Sequence, residues 1–283
     1  MSSVWTGIRF DRALTLGLVG PLRHLSGGVD RSFPILMYHG IAETDESNRS
    51  PYYRLNTAPE LFARQMAFLK DHGYRVVGLG HAVELAAMTE GSLPRCVVLT
   101  FDDGFRDFHT NAFPVLDHYG YTATVFLPTG FIGRHRQSFK GKECLTWSEV
   151  RELHRAGIAF GSHTVTHPQL HTLSGHRVVD EVGRSVTAIA EQLGAPVESF
   201  SYPYRFPETD RQFCAFIRAA LVEAGCRYGV STRIGRTSID DEPYFMRRLP
   251  VNSADDLQLF HAKLAGDYDW LHYLQYAGKL LRL

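Results

Sequence analysis

Val97-Val98-Leu99-Thr100-Phe101-Asp102-Asp103-Gly104 is the stretch from which the fold of this chain can be read. Residues 95–101 are rich in apolar and β-branched types and stop at Asp-Asp-Gly, the pattern of a buried strand emptying into a turn. Two adjacent carboxylates repel and are costly to desolvate, so a chain that puts both at the end of a buried strand needs a compensating cation. A metal ion is the candidate. His163 and His167 complete the set, because a spacing of four brings two imidazoles to one face of a helix or tight loop, where they close on a single ion. One carboxylate oxygen and two imidazole nitrogens suit a divalent metal such as zinc, with cobalt, nickel or iron also compatible, rather than calcium. Three protein ligands leave positions for water and substrate.

Each half alone is weak. An Asp-Asp-Gly is ordinarily a solvated turn, and a His-x-x-x-His arises by chance in a chain with 14 histidines, so the combination carries the reading. Phosphatases with an aspartyl nucleophile also end a strand in two carboxylates, but with one residue between them; Asp102 and Asp103 are contiguous.

Outward from this stretch, strand-like and helix-like runs alternate. Strands are expected at 33–38, 75–78, 95–101, 122–127, 158–161, 199–202 and 227–231, and helices at 58–72, 80–88, 109–118, 147–156, 175–193, 208–224 and 254–265. Thr57-x-x-Glu60 and Thr146-x-x-Glu149 read as capping boxes. The alternation predicts an α/β fold with a parallel sheet, and seven repeats predict its closure into a single-domain barrel over residues 31–265. Residues 1–30 are read as an N-terminal appendage and 266–283 as a C-terminal amphipathic tail. The motif residues would then meet at the carboxyl end of the barrel, where loops converge.

Composition agrees with such a domain. With 283 residues and 44% apolar content a sizeable core can be buried. Lys plus Arg and Asp plus Glu are 30 each, which gives no electrostatic case for nucleic acid. Cys96, Cys144, Cys214 and Cys226 share no C-x-x-C spacing and read as free thiols, so a reducing, cytoplasmic location is expected. Residues 13–22 are apolar and follow Arg9 and Arg12, as in a signal core, but Asp11 and Pro21 interrupt the pattern, and secretion is the alternative. The tail, with Tyr273, Tyr276, Lys279 and Arg282 among leucines, either packs on the barrel, the reading favoured, or lies on a membrane surface.

The motifs resemble those of the polysaccharide deacetylases with a NodB-like domain, carbohydrate esterase family four, over about residues 33–255. Thr100-Phe101-Asp102-Asp103-Gly104 is similar to the family's first motif, His163-Thr164-Val165-Thr166-His167 to its second, and Phe200-Ser201-Tyr202-Pro203-Tyr204 to its third. Leu145-Thr146-Trp147-Ser148-Glu149 and Gly161-Ser162 match the context. The resemblance implies an irregular (β/α)7-type barrel and a metal-dependent hydrolase that removes acetyl groups from N-acetylated oligo- or polysaccharides, nearest to the exopolysaccharide and poly-N-acetylglucosamine types. It implies roles as well: Asp103, His163 and His167 as metal ligands, Asp102 as general base, and the backbone N–H of Tyr204 as oxyanion donor.

Two departures leave choices open. The family's usual general acid is a histidine in a late Leu-x-His motif, here matched by Leu259-Phe260-His261 in a helix-like run. In the poly-N-acetylglucosamine subgroup an early Tyr-His takes its place, here Tyr38-His39, and His39 is preferred because a strand-end histidine faces the barrel mouth. The arginine that usually pairs with the base is Ser201 here, so Arg205, Arg247 or Arg248 must substitute, with Arg248 ranked first. Arg205 could instead meet an anionic part of the substrate. Trp147 and Tyr202 are candidates for aromatic surface against sugar rings, core packing being the other reading for Trp147. A hydrolase of small non-peptide amides, or a catalytically impaired glycan-binding barrel, are the rival functions.

Overall fold

The computed structural model describes residues 9–23 and 30–280. Seven parallel strands close into a barrel in chain order: β1 Ile35–Tyr38, β2 Cys96–Phe101, β3 Thr124–Leu127, β4 Ala159–Ser162, β5 Ser199–Ser201, β6 Tyr228–Ile234 and β7 Met246–Pro250. β7 pairs with both β6 and β1, and that pairing shuts the cylinder. The barrel is irregular: β4 and β5 share one residue pair, Ser162 with Phe200, and the register of β6 on β7 shifts between Val230 and Ile234.

The strand pattern explains the layering. Successive side chains point to opposite faces of a strand, and on β2 Val97 and Leu99 join the apolar layer under the helices, whereas Val98 joins a second cluster with Phe33, Ile35, Phe126, Val230 and Met246. The second cluster plugs the barrel. Gly161 on β4 makes room for it, since a Cβ there would lie 2.4 Å from the Phe126 ring. The helices α1 Pro59–Asp71, α2 Leu79–Met88, α3 Phe113–Tyr119, α4 Trp147–Arg155, α5 Gly175–Leu193, α6 Arg211–Glu223 and α7 Leu257–Ala265 alternate with the strands, and α8 Leu271–Leu280 packs on β6.

Three sequence expectations need correction. Met246–Pro250 is a strand where the sequence reading names none, its pattern masked by two arginines and a proline in five residues; Arg248 is fully buried, and Pro250 stands at the strand's end, where a missing N–H is tolerated. The expected strand at 75–78 is only Arg75–Val76, paired to the first residues of β2 outside the closed ring. Thr57 caps nothing: it lies in the short strand Asn56–Thr57 and donates to Val251 O, while Pro59 opens α1 with its φ already fixed. The other box forms as read, with Thr146 Oγ1 accepting from Glu149 N–H and Glu149 accepting from Thr146 N–H.

The segment over residues 10–23 is helical and is tied to the far end of the chain. Arg9 bonds Asp11 and Asp255, Asp11 accepts from the Tyr268 hydroxyl at 2.6 Å, and Trp270 Nε1 donates to Thr15. In the tail, Gln275 bonds the backbone of Thr232 and Ile234, whereas Tyr273 and Leu274 face solvent. Arg282, the side chain of Lys279 and residues 1–8 and 24–29 lie outside the described residues. The four cysteines form no disulfide. Among the described residues no helix is long and apolar enough to cross a membrane.

The capping box gives a pH-dependent prediction. Burial opposes the charge of Glu149, but hydrogen bonds from Arg136 and Thr146 outweigh it and hold the carboxyl at about 2, below its ordinary 4.5. A carboxyl depressed on folding stabilises fully above its unfolded value and loses that contribution as pH falls through the folded one. Glu149→Gln is therefore expected to lower stability by about 1 kcal/mol at pH 7 in urea unfolding, with the deficit vanishing between about pH 4.5 and 2.

Candidate active site

β2 delivers the two aspartates. Asp102 N–H donates to Tyr38 O, which extends the β1 pairing, and the chain then turns through Asp103 and Gly104, both left-handed (φ 73° and 59°). Asp is among the few residues that tolerate this conformation, which re-aims its carboxylate. His163 follows β4, tied by its N–H to Leu127 O, and its Nδ1 lies 2.7 Å from Ser201 O. A carbonyl can only accept, so Nδ1 carries the proton and Nε2 keeps a bare lone pair. That nitrogen lies 3.7 Å from Asp103 Oδ1, and His167 Nε2 lies 3.3 Å from the same oxygen.

One ligand atom from each of Asp103, His163 and His167 falls within 4.8 Å of the others, and all three residues are buried. The donor set fits a divalent cation. Burial pushes the His163 imidazole down to about 3, against the pull of Asp102, so it is neutral, as a metal ligand must be. Burial also opposes the charge of Asp103, but His167, His39 and Lys140 hold its carboxyl well below the ordinary carboxylate range.

Asp102 is neutralised separately. Arg248 on β7 reaches across the barrel with Nη1 2.8 Å from Asp102 Oδ1 and Nη2 2.7 Å from Oδ2. Its remaining N–H groups go to Ser231 O, Thr100 Oγ1 and Ser201 Oγ, so all five donors of the guanidinium are used. Ser201 Oγ also bonds Asp102 Oδ1 at 3.2 Å. The short side chain on β5 thus leaves room for an arginine arriving from β7. Burial opposes ionisation of Asp102, and the Arg248 charge overrides it, holding the carboxyl far below its usual range. Of the other arginines, Arg247 pairs with Asp241 and Arg205 is exposed.

His39 stands half-buried at the end of β1 in the same charge field: burial lowers its pKa, Asp103 and Asp102 raise it, and Lys140 and Arg248 lower it. His261 is exposed on α7 beside Phe68 and His72, in the outer helical layer. Tyr204 is 47% exposed, its ring 4.7 Å from that of His167. Tyr202 is elsewhere. Tyr202 is buried among Phe200, Phe206 and Phe245, because the residue after β5 points back into the helical layer; its ring is not offered to a sugar. Trp147, the first residue of α4, lines a recess with Arg134, Ser148, Arg151 and Gln192.

Two residues here carried no sequence signal. Lys140, at the tip of the hairpin formed by Ser138–Phe139 and Lys142–Glu143, puts Nζ 3.2 and 3.0 Å from the two Asp103 oxygens and 3.5 Å from His167 Nε2. In the sequence Lys140-Gly141 is an ordinary hairpin turn. Glu181 on α5 accepts from the backbone of Val165 and Thr166.

The site also concentrates backbone strain. Among the described residues the non-glycine positions with left-handed φ are Asp103, Lys140 (52°), Thr164 (68°), His167 (56°) and Tyr204 (58°), and all of them belong to this site. Each such position costs roughly 1–3 kcal/mol, sustained only where the surroundings over-determine it.

Comparison with known proteins agrees with this architecture. Residues 90–226 match the family described as polysaccharide deacetylase. YxkH of Bacillus subtilis (strain 168) is 29% identical over 220 residues, 77% of this chain and 71% of that protein. The poly-beta-1,6-N-acetyl-D-glucosamine N-deacetylase of Staphylococcus aureus is 22% identical over 238 residues, covering 77% of this chain and 78% of its own length. The solved structure of the Streptococcus pyogenes deacetylase PplD in complex with acetate superposes with a TM-score of 0.70 at 25% identity, over 82% of this chain and 98% of PplD. With the aspartate pair on β2, the histidines after β4 and the closed seven-stranded barrel in hand, the chain is similar to the polysaccharide deacetylase family over residues 90–226.

Proposed function

We propose that this protein is a metal-dependent hydrolase that removes acetyl groups from an N-acetylated glycan of the exopolysaccharide or cell-surface type. The observation that carries the reading is the convergence of Asp103 and two imidazoles beside an Asp102 clamped by a buried arginine. Similarity to the Staphylococcus aureus N-deacetylase supports the choice of an N-acetylated polymer.

Asp103, His163 and His167 would hold the ion, zinc being the first choice. A divalent ion there supplies polarisation of the acetyl carbonyl and a lowered pKa for a water. Asp102 takes the proton of the attacking water on its carboxylate. Arg248 lowers the Asp102 pKa far below neutral pH, so the base is in the accepting form at pH 7, though weakened in basicity. The backbone N–H of Tyr204 donates to the oxyanion that develops. His39 gives the leaving nitrogen its proton; burial outweighs the pull of Asp103 and Asp102 and lowers its pKa from the ordinary value, so the protonated ring gives up its proton readily. The intact pairing of Asp102 with Arg248 supports catalysis over the reading of an impaired glycan-binding barrel.

Metal analysis and acetate release test the roles together. Asp103→Ala and His163→Ala should lose bound metal, whereas Asp102→Asn should retain it and lose turnover by at least about 100-fold; full activity in Asp102→Asn sinks the base assignment. His39→Ala should spare metal and depress turnover, with His261→Ala unchanged. Acetate release from acetylated oligosaccharides, set against hydrolysis of small amides, separates the glycan reading from its small-amide rival.

Two further outcomes follow from the charges. Arg248→Met leaves the Asp102 carboxylate buried and unpaired, and should destabilise the chain by about 3–5 kcal/mol in urea unfolding. Lys140 and a divalent ion compete for the same Asp103 oxygens, so Lys140→Met should bind zinc about tenfold or more tightly than the parent chain in a chelator competition.

A further inference from the structure

The His163–His167 loop is held in shape by a carboxylate outside the ligand set. Glu181 stands on α5 and is 7% exposed. Its Oε2 accepts the N–H of Val165 and of Thr166, each at 2.8 Å, and its Oε1 accepts the Thr166 hydroxyl at 2.7 Å. Two consecutive N–H groups converging on one oxygen form an anion-binding concavity, here filled by the protein's own side chain. The same peptides are gripped from the other side, where Thr129 N–H donates to Thr164 O and Gly130 N–H to Val165 O. Inside the loop, Ser162 Oγ accepts from Thr164 N–H, and Thr164 Oγ1 from His167 N–H.

What this clamp opposes is the left-handed backbone at Thr164 and His167. Thr164 is β-branched, among the residues least suited to that conformation. Released, residues 164–167 would relax toward ordinary φ values, and a rotation there swings the His167 ring away from Asp103. The carboxylate charge is what makes the grip strong, because hydrogen bonds to an ionised acceptor are about twice as strong as neutral ones. All three hydrogen bonds given for the Glu181 carboxylate go to Val165 and Thr166, so its charge is directed at the loop.

We propose that Glu181 is a positioning residue for the metal centre: it touches no ligand and no substrate, and sets metal affinity by fixing the strained turn that aims His167 at Asp103. The inference rests on the metal reading above. It extends that reading to a residue one layer outside the ligands, where removal of an orienting group typically weakens metal binding by about 10–100-fold.

The test measures Co2+ binding to the full chain, by competition with a chromophoric chelator and by the visible absorption of the bound ion. Glu181→Gln keeps the size of the side chain, removes the charge and leaves one accepting oxygen where the carboxylate offers two. It is expected to bind Co2+ roughly 10–100-fold more weakly than the parent chain and with an altered spectrum. Thr166→Val removes one of the three bonds and should weaken binding by about fivefold, and Arg184→Gln, on the exposed face of α5, should change nothing. A purely structural Glu181 would lower the melting temperature in excess chelator and leave affinity and spectrum within threefold of the parent; that result overturns the proposal. Should Glu181→Gln fail to fold by circular dichroism, Thr166→Val decides: weakened binding supports the proposal and parental affinity overturns it. Absence of Co2+ binding by the parent chain overturns the metal reading and this one with it, whereas equal binding by parent and variants overturns this one alone.

Discussion

A carboxylate buried at the end of a central strand is tolerable only with a cation against it, and the rest of this structure is organised around meeting that demand twice. Asp102 is met by Arg248, whose five donors reach β2, β5 and β6 from β7. Removing one partner of such a pair leaves an uncompensated charge, a loss of about 3–5 kcal/mol, comparable to a large part of a domain's net stability. Asp103 is met by a different device, a lysine on one loop and two imidazoles on another. Arg248 arrives on a strand of the barrel and Lys140 on a hairpin loop, so the two aspartates, though adjacent in the chain, are neutralised by separate groups.

The same demand explains what the sequence disclosed and what it hid. The aspartate pair and the histidine spacing were legible because each reports local chemistry. Most strands and helices were legible because their apolar periods are local as well. β7 was not, because a strand whose interior residue is an arginine looks like a loop until the partner across the barrel is known. Ser201 in place of the expected arginine was visible as a departure, and Arg248 could be ranked first, but the reason, a serine small enough to let a guanidinium pass, exists only in three dimensions. Lys140 and Glu181 left no trace, since a Lys-Gly turn and a glutamate on an amphipathic helix are commonplace. Tyr202 faces the helical layer and not the site, because an aromatic beside a motif can point either way and a one-residue change of direction decides which.

Strain is distributed with the same logic. The left-handed non-glycine residues sit on four loops that meet over Asp103, each pinned by hydrogen bonds to a rigid strand or helix. A site assembled on relaxed loops would be free to drift. Here the scaffold absorbs the unfavourable φ values and returns fixed directions for the side chains, which is how backbone geometry becomes chemistry.

The position of β7 has a consequence for biogenesis. The ring can shut only after residues 246–250 have been made and have left the ribosome, later than all six other barrel strands. Until then β1 and β6 present open hydrogen-bonding edges, and Asp102 has no guanidinium to receive it, so the nascent barrel has reason to stay splayed and hydrated at its centre. Translation that stops short of Arg248 therefore yields an open trough with an unsatisfied anion in it, a species for quality control to clear and not a smaller enzyme.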